Sequence, residues 1–400
     1  MVGFLYYGRL EKEKGIESLI EVLQKVKKSD LDCEFFIFGT GSFENKILEL
    51  TDQRIHFFGR KPLSTIQKYL SNIDYCLMPS EFLETFWLSA LNALSRWIPV
   101  IWYKKWGMEP FIFSDCNLYT FKGDTTAKRL YSAITKICSL SKEELQEKKE
   151  TYQYEITLLM DQYSKNTRYL NFCQLSEILR QQEKKSKNST QENHPLKIVL
   201  VSDFINKIWG IETYLHEAKE YLETLDYTVL LWGNENKPWF LGKLIRYRWI
   251  LSSPFNFWSK IRFKNFLKKE QPDIIRFHSL LRWLGKGVVE AAAEYQKKEK
   301  KSELWMMYHD FWYFYPYPHA LFEVKSCKTP LSMRNFLDQQ KGIKKFFARW
   351  KYLLMKGLVK VLKKSINLHL VPSEYMKEIV VQSYQIADKK VKVFPHFIQD

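Results

Sequence analysis

The residues most able to bind an anion lie in a short basic turn near the start of the chain. Arg9 and Lys14 stand between Gly8 and Gly15, after an apolar run and before a helical pattern. A helix N-terminus favours negative charge, because its free N–H groups and its dipole both act on a ligand there. A guanidinium and an ammonium would add a forked and a point contact, which suits a diphosphate. The alternative is a solvated charged turn, and this segment alone leaves both open.

Two further turns follow apolar runs in the first half of the chain. Gly39 and Gly41 lie after the run 33–38, and glycines there would let the backbone approach a ligand closely, although such turns are common. Residues 74–101 have the pattern of a strand, a polar loop, a helix and another strand. Glu84 lies just ahead of that helix, where a carboxylate can either cap N–H groups or bind sugar hydroxyls.

Short β-rich runs separated by helical patterns must position these turns. An example of a helical pattern is 16–28, with apolar residues recurring at helical spacing. Buried strands joined by helices of ten or more residues predict parallel sheets, in which ligands bind at the carboxyl ends of the strands. The predicted fold class is therefore α/β, with two Rossmann-like domains. The predicted strands are 4–7, 33–38, 55–58, 75–78 and 100–102 in the first half, and 197–202, 227–232, 274–278, 304–308, 368–371 and 392–394 in the second.

One segment between the halves is predicted to be a solvated linker. Residues 181–195 contain no aliphatic or aromatic side chain that could anchor to a core. The predicted domains are thus 1–180 and 196–400, each of ordinary size for one domain.

The composition excludes several classes of protein. Apolar residues make up 46% of the 400 residues and charged residues 27%, so the chain can bury a core. No apolar run reaches the length of about 18 to 20 residues that a membrane-spanning helix needs. The charges within residues 1–20 are not those of a signal peptide, and the six cysteines show no CxxC pair or metal-ligand spacing. These features predict a cytoplasmic protein with reduced thiols.

The positive charge is concentrated in the second half. Residues 1–190 carry 27 Lys/Arg against 24 Asp/Glu, whereas residues 191–400 carry 35 against 21. Two basic stretches that contain aromatic residues, 237–269 and 341–364, are candidates for contact with an anionic membrane surface. The alternative for 341–364 is a domain helix whose basic face is merely solvated. Nucleic acid is not the expected partner, because no RNA-binding motif accompanies these stretches.

The order of the motifs resembles the donor-binding half of retaining glycosyltransferase family 4 enzymes, which have the GT-B architecture of two facing Rossmann-like domains. The resemblance covers essentially residues 1–180 and depends on five motifs in order. They are GRLEKEKG at 8–15, FGTG at 38–41, FFG at 57–59, PSEFLETF at 79–86 and IPVI at 98–101. The second half resembles the acceptor domain of the same family in segments 197–203, 209–214, 271–275, 309–312 and 371–376.

The two halves stand in the reverse of the order that the family shows. Residues 391–395 resemble the stretch that normally leads into the donor domain, and residues 168–182 have the character of the helix that crosses back onto the acceptor domain. A natural circular permutation is one explanation. The other is a fragment of a tandem array, and the sequence leaves both open.

The resemblance implies a hexosyltransferase that moves a sugar from a UDP- or GDP-linked donor to a cell-envelope, polysaccharide or lipid-linked glycan acceptor, with retained configuration and without a metal ion. The implied location is cytoplasmic, with peripheral contact at the inner membrane face. The implied catalytic residues are His309, Glu84, Arg9 and Lys14, with His309 orienting the reacting sugar. The implied donor-binding residues are Gly8, Arg9, Lys14, Gly39, Gly41, Gly59, Arg60, Glu84, Phe86, Trp87, Leu88, Asn92 and Gly210. His278, also after a predicted strand, is interpreted as a structural histidine.

The sequence departs from the family pattern at four positions. Asn92 replaces a glutamate that holds ribose hydroxyls, and Trp87, Trp97 and Trp209 replace glycines. Bulky indoles near phosphate-binding backbone would reduce the donor pocket. These departures favour the alternative of a catalytically silent binding or scaffold module with the same architecture. A sugar-nucleotide epimerase is a third hypothesis, without supporting residues.

Overall fold

The structure is a computed structural model, in which contacts divide the chain into two compact units. The first is Met1–Asn171 and the second is Phe172–Pro395. The structure describes residues 1–80, 88–103, 116–161, 164, 167, 169–177, 195–206, 210–235, 257–281, 284–299, 302–309, 313 and 342–394. Several predicted features lie outside these ranges: Glu84, Phe86, Trp87, Trp209, the segment 181–194 and residues 237–256 of the basic stretch 237–269.

The first unit contains a five-stranded parallel sheet. Its strands are β1 (Val2–Tyr7), β2 (Cys33–Phe38), β3 (Ile55–Phe57), β4 (Tyr75–Met78) and β5 (Val100–Trp102), in the order β3-β2-β1-β4-β5. Every pairing within the sheet is parallel. This order reverses between β1 and β4, which is the doubly wound arrangement of a Rossmann-like domain.

Helices cover the first sheet. They are α1 (Ile16–Lys27), α2 (Glu44–Leu48), α3 (Leu63–Ile66), α4 (Leu88–Leu94), α5 (Thr126–Cys138) and α6 (Lys142–Asp161). Helix α1 buries Ile16, Leu19, Val22, Leu23 and Val26, a stripe at helical spacing that the sequence predicts almost completely. In the middle of the sheet the Phe4 ring stacks on those of Phe35 and Tyr75, one on each neighbouring strand.

The second unit contains a six-stranded parallel sheet. Its strands are β6 (Lys197–Phe204), β7 (Thr228–Asn234), β8 (Ile274–Phe277), β9 (Glu303–Met307), β10 (Leu368–Val371) and β11 (Val391–Val393), in the order β11-β10-β9-β8-β6-β7. All pairings are again parallel, and the order reverses between β6 and β8. The second domain is therefore also Rossmann-like.

The helices of the second unit begin with a segment that the chain reaches before the predicted linker. Residues 169–177 are helical (α7), and Phe172 packs edge-on against Trp305 of β9, with ring centroids 5.3 Å apart. The hydroxyl groups of Ser176 and Tyr227 are hydrogen-bonded at 3.0 Å. The remaining helices are α8 (Gly210–Thr224), α9 (Phe257–Glu270), α10 (Gly285–Glu299), α11 (Gly342–Ser365) and α12 (Glu374–Tyr384).

All eleven strands lie within about two residues of their predicted ends, and the α/β class with two Rossmann-like domains is confirmed. The pattern in 341–364 correctly predicts a helix, and its described apolar residues divide between the core and the surface. In α11, Leu358 and Leu362 are buried, whereas Phe346 and Leu353 are about 60% exposed. The described cysteines are free thiols. No described helix is long and apolar enough to cross a membrane.

Candidate functional site

The first candidate site lies at the carboxyl edge of the first sheet. In a parallel sheet the loops that follow the strands share one edge, and the point where strand order reverses opens a crevice there. Gly8, Arg9 and Lys14 follow β1, Gly39 and Gly41 follow β2, Gly59 and Arg60 follow β3, and Leu88 and Asn92 belong to α4, which follows β4. The fold thus brings these predicted residues to one edge of one sheet.

Backbone hydrogen bonds hold the first two loops together. The N–H of Gly8 donates to the carbonyl of Phe38 at 3.1 Å, and that of Leu10 to Thr40 at 3.0 Å. The Glu11 carboxylate accepts bonds from the backbone N–H and the hydroxyl of Ser42, at 3.1 and 2.6 Å. The basic turn is therefore fixed in place mainly by main-chain atoms.

Glycine is needed at two of these positions because other backbone lies very close. Gly39 has φ 151°, and a Cβ there would lie 1.9 Å from the carbonyl oxygen of Gly8. Gly15 has φ 72°, and a Cβ there would lie 2.2 Å from the carbonyl oxygen of Pro79. The missing side chains thus let the loops pack on one another. Close approach of a ligand to this backbone stays a prediction.

Two cationic side chains of the basic turn lie at this edge. The side chain of Arg9 is 53% exposed, and its Nη1 lies 3.1 Å from Oε1 of Glu13. Lys14 is half-buried one residue before Gly15, the N-cap of α1. Glycine has no side chain, so no N-cap side chain accepts a hydrogen bond from the first N–H groups of α1.

Asn92 is a buried polar residue of α4, the helix that follows β4. It is 6% exposed, and its Oδ1 has no hydrogen-bond partner among the described residues. A buried amide oxygen without a partner is unfavourable, so this atom is suited to accept a hydrogen bond from a hydroxyl group.

Trp97 does not lie where the sequence interpretation put it. It follows α4 and precedes β5, at the amino edge of the sheet and away from the loops described above. Its φ is 57°, a backbone conformation that favours glycine, and its indole Nε1 donates to Thr157 Oγ1 on α6 at 3.1 Å. The prediction that this indole reduces the donor pocket is therefore wrong for Trp97.

A second candidate site lies at the carboxyl edge of the second sheet, where Gly210 begins α8 after β6 and His309 follows β9. Nδ1 of His278, after β8, lies 2.7 Å from Nε2 of His309, and the two rings stack with centroids 5.0 Å apart. The Tyr214 ring of α8 meets the His309 ring edge-on. His278 is therefore the immediate neighbour of His309, a relation that sequence reasoning missed. The signal in the sequence was that His278, like His309, lies at the end of a predicted strand.

Buried hydrogen bonds hold the loops of this second edge. The Asp203 carboxylate, near the end of β6, accepts bonds from the Ser279 hydroxyl at 3.1 Å and the Leu284 N–H at 2.9 Å. The Tyr313 hydroxyl donates to the carbonyl of His278 at 3.0 Å and accepts from the Leu280 N–H at 2.9 Å. The positions of these loops therefore depend on specific side chains.

A buried arginine lies beneath the histidine pair and was also missed. Arg276 of β8 is fully buried, donates to the Tyr214 hydroxyl, and has its guanidinium 5.9 Å from the ring centre of Phe172 and 5.3 Å from that of Phe394. Its Nε and Nη1 have no partner among the described residues. The signal in the sequence was the position of Arg276 within an otherwise apolar predicted strand.

Burial also affects a histidine further along the same sheet. His369 of β10 is buried and its Nδ1 lies 2.8 Å from the Tyr308 hydroxyl. Burial, reinforced by Lys390, lowers the pKa of His369 to about 3. Among the described residues, no group of three or more His, Cys, Asp or Glu could hold a metal ion.

Comparison with protein families gives one match for each half of the chain. Residues 3–155 match the family described as glycosyl transferases group 1, and residues 208–400 match glycosyltransferase family 4. Together with the two parallel sheets, these matches support a glycosyltransferase of the GT-B type.

Individual relatives overlap only part of the chain. An uncharacterized glycosyltransferase of Methanocaldococcus jannaschii, MJ1607, is 28% identical over 118 residues, which is 28% of this chain and 30% of that protein. The chain thus spans about a third of this relative's length.

Two solved structures show a similarly partial overlap. The pneumococcal O-GlcNAc transferase GtfA, in complex with UDP and GlcNAc, is 23% identical over 39% of this chain and 32% of its own, with a TM-score of 0.31. The catalytic domain of cholesterol-α-glucosyltransferase from Helicobacter pylori is 18% identical over 39% of this chain and 99% of its own, with a TM-score of 0.29.

Proposed function

We propose that the chain is a retaining hexosyltransferase, which moves a sugar from a UDP- or GDP-linked donor to a cell-envelope, polysaccharide or lipid-linked glycan acceptor. The observation that carries this proposal is the start of α1. Its N-terminal N–H groups have no side-chain cap and lie beside Arg9 and Lys14, at the point where the strand order of the first sheet reverses. Positive charge at a helix start suits a diphosphate.

In the proposed reaction the bond between the anomeric carbon and the diphosphate oxygen breaks, and a bond from that carbon to an acceptor hydroxyl oxygen forms on the same face. The hydroxyl proton goes to the leaving diphosphate. Arg9, Lys14 and the α1 dipole stabilise the charge that develops on the diphosphate, which is the role a metal ion has in other transferases. Asn92 Oδ1 accepts a hydrogen bond from a donor hydroxyl.

The family resemblance also implies a residue of the second domain that orients the reacting sugar. His309 is proposed for this role, and the hydrogen bond with His278 couples the tautomers of the two rings, because one of the two bonded nitrogens carries the proton and the other accepts it. Glu84, Phe86 and Trp87 retain their proposed contacts with the donor, as implied by the motif that contains them.

The alternative is a silent module that keeps the architecture without transfer. Asn92 favours it, because an amide binds ribose hydroxyls without the strength of a charged carboxylate. Trp97 does not favour it, since that residue lies at the other edge of the sheet.

A calorimetric titration with UDP and GDP separates the two hypotheses. The transferase should bind one of them, and Arg9→Ala should weaken binding about 10- to 100-fold, the range expected for a charged hydrogen bond. The matched control is Lys12→Ala, in the same turn, because Lys12 is 71% exposed and forms an ion pair with Glu17. Absence of binding in a folded sample, or equal losses in both variants, would contradict the proposed donor site.

We also propose that the chain is a circular permutation and not a tandem fragment. The packing of α7 on the second sheet supports this, because a permuted enzyme keeps its crossing helix on its own acceptor domain. If a protease site is inserted after Lys187 and cut, the two pieces should co-elute, and Phe172→Asp should separate them. Pieces that separate without the substitution would favour the tandem fragment.

A further inference from the structure

Helix α11 has one exposed face that combines cations with large apolar side chains. Among the residues of this helix whose side chains the structure describes, the exposed ones recur every three or four positions, whereas Met355, Leu358 and Leu362 are buried on the opposite side. The exposed side chains of this face, called here the basic face, are Phe346, Arg349, Leu353, Lys356, Lys360 and Lys364. At 100° per residue they fall within one narrow sector of the helix.

The apolar members of the basic face are exposed to an unusual degree for their size. Phe346 is 62% exposed and Leu353 is 59% exposed, and two helical turns separate them on the same side. Helix α11 has no acidic residue that would balance its cations. Lys and Arg alternating with Phe and Leu on one helix face fit the boundary between lipid headgroups and acyl chains.

The N-terminal half of α11 projects beyond its neighbour. Helices α10 and α11 connect adjacent parallel strands, so they run in the same direction and both begin at the carboxyl edge of the sheet. Gly357 of α11 lies beside Lys286 near the start of α10, where a Cβ would be 3.9 Å from the lysine Cδ. The residues of α11 before Gly357 therefore extend about 22 Å past the start of α10.

A second pair of exposed aromatic residues begins the other neighbour of α10. Phe257 and Trp258, the first residues of α9, are 62% and 74% exposed. Because α9 packs against α10 and also leads into a parallel strand, its start lies at the same carboxyl edge. Tryptophan at such a position is typical of a membrane interface.

We propose that the basic face of α11, with Phe257 and Trp258, docks the second domain on an anionic lipid bilayer. The charge selects this occupant, because residues 191–400 hold 35 Lys/Arg against 21 Asp/Glu and anionic headgroups attract such a surface. The inserted side chains contribute the apolar part of the binding free energy. Docking brings the bilayer to the edge that carries His278 and His309, where a lipid-linked acceptor would need to arrive. That consequence alone rests on the proposed function, because docking itself requires no sugar donor.

Flotation of the full-length chain with lipid vesicles tests the proposal. Wild type should float with vesicles of phosphatidylcholine and phosphatidylglycerol, and should remain unbound with phosphatidylcholine alone or at high salt. Lys356→Glu/Lys360→Glu should weaken binding at least about 30-fold, because two side chains that attract anionic headgroups are replaced by two that repel them. Phe346→Ser/Leu353→Ser should also weaken binding, while the melting temperature of both variants stays close to that of wild type.

Two matched controls separate the basic face from overall charge and overall hydrophobicity. Lys27→Glu/Lys28→Glu makes the same charge change at two exposed lysines of the first unit, and Leu158→Ser removes an equally exposed leucine from α6. Both should float like wild type. Equal losses in a control and in its matched variant, or no binding to anionic vesicles, would overturn the proposal.

Binding to a single-stranded oligonucleotide without binding to vesicles would assign the surface to nucleic acid instead. UDP binding measured on the same samples keeps failure of docking distinct from failure of the donor site.

Discussion

The carboxyl edges of the two sheets are built from different kinds of contact. At the first edge, main-chain bonds such as Gly8 to Phe38 and the close approach at Gly39 hold the loops, which leaves the guanidinium of Arg9 half-exposed. At the second edge, side chains hold one another, as in the bonds of Asp203 and the pair of His278 and His309. Because the first edge is assembled mainly by backbone, the Arg9 side chain can remain half-exposed, where an anion could meet it. An edge assembled by side chains presents an already ordered hydrogen-bond network.

The largest expected effect is on the backbone packing of the first edge. Gly39→Ala should lower the free energy of unfolding by more than about 3 kcal/mol, because its Cβ would overlap the Gly8 carbonyl oxygen at a positive φ. Gly59→Ala is the control, since Gly59 also has positive φ (67°) but a Cβ there would meet no atom of a non-neighbouring residue within 4 Å. It should cost about 1 kcal/mol. Equal losses in denaturant melts would mean that close packing is not what holds this edge.

A second prediction concerns the acid sensitivity of the second unit. The pKa of His369 is about 3 when folded and lies near 6.5 when unfolded, so the unfolded chain takes up the proton first. The contribution of His369 to the free energy of unfolding is fully present above pH 6.5 and is lost as the pH falls toward 3. At pH 5 the loss is about 2 kcal/mol.

Denaturant melts at pH 7.5 and pH 5 measure this loss. His369→Phe should reduce the dependence of the free energy of unfolding on pH. Tyr308→Phe removes the hydrogen bond but keeps the histidine buried, so it should preserve that dependence. An unchanged dependence in His369→Phe would show that other groups cause the acid sensitivity.

A third prediction compares one tyrosine hydroxyl at each edge. Tyr313→Phe removes two bonds and leaves the buried Leu280 N–H without its acceptor, so it should cost about 2 kcal/mol. Tyr6→Phe removes the bond to the Arg9 carbonyl and should cost about 1 kcal/mol. Thermal melts of both variants measure the two losses in stability. A larger loss in Tyr6→Phe would mean that the first edge depends more on side-chain hydrogen bonds than the second edge does.

A weaker effect is expected for the ion pair of Arg9 and Glu13 at the first edge. Glu13→Gln should strengthen UDP or GDP binding by no more than about fivefold, because an exposed ion pair with Arg9 contributes at most about 1 kcal/mol. The backbone carbonyl of Glu13, which accepts from Ser80, is unchanged by the substitution. Weaker binding in a calorimetric titration would show that the carboxylate positions Arg9 for the ligand.

Much of the fold follows from local pattern, and much of the candidate site does not. The α1 stripe and the eleven strands were predictable because apolar spacing reports directly which residues face a core. The histidine pair was not, because residues 31 positions apart meet only when two strands become neighbours. For the same reason the family pattern placed a tryptophan near the donor, whereas the fold puts Trp97 at the opposite edge.

Sequence alone establishes the α/β class, the strands, the basic turn of Arg9 and Lys14, and the excess of charge in the second half. Each of these depends on composition or on spacing over a few residues. Three further facts come from the folded chain: Gly39 faces the Gly8 carbonyl, Arg276 is buried against aromatic rings, and Phe346 and Leu353 of α11 face outward. These facts depend on which distant segments share a surface, because close packing assigns each side chain one set of neighbours.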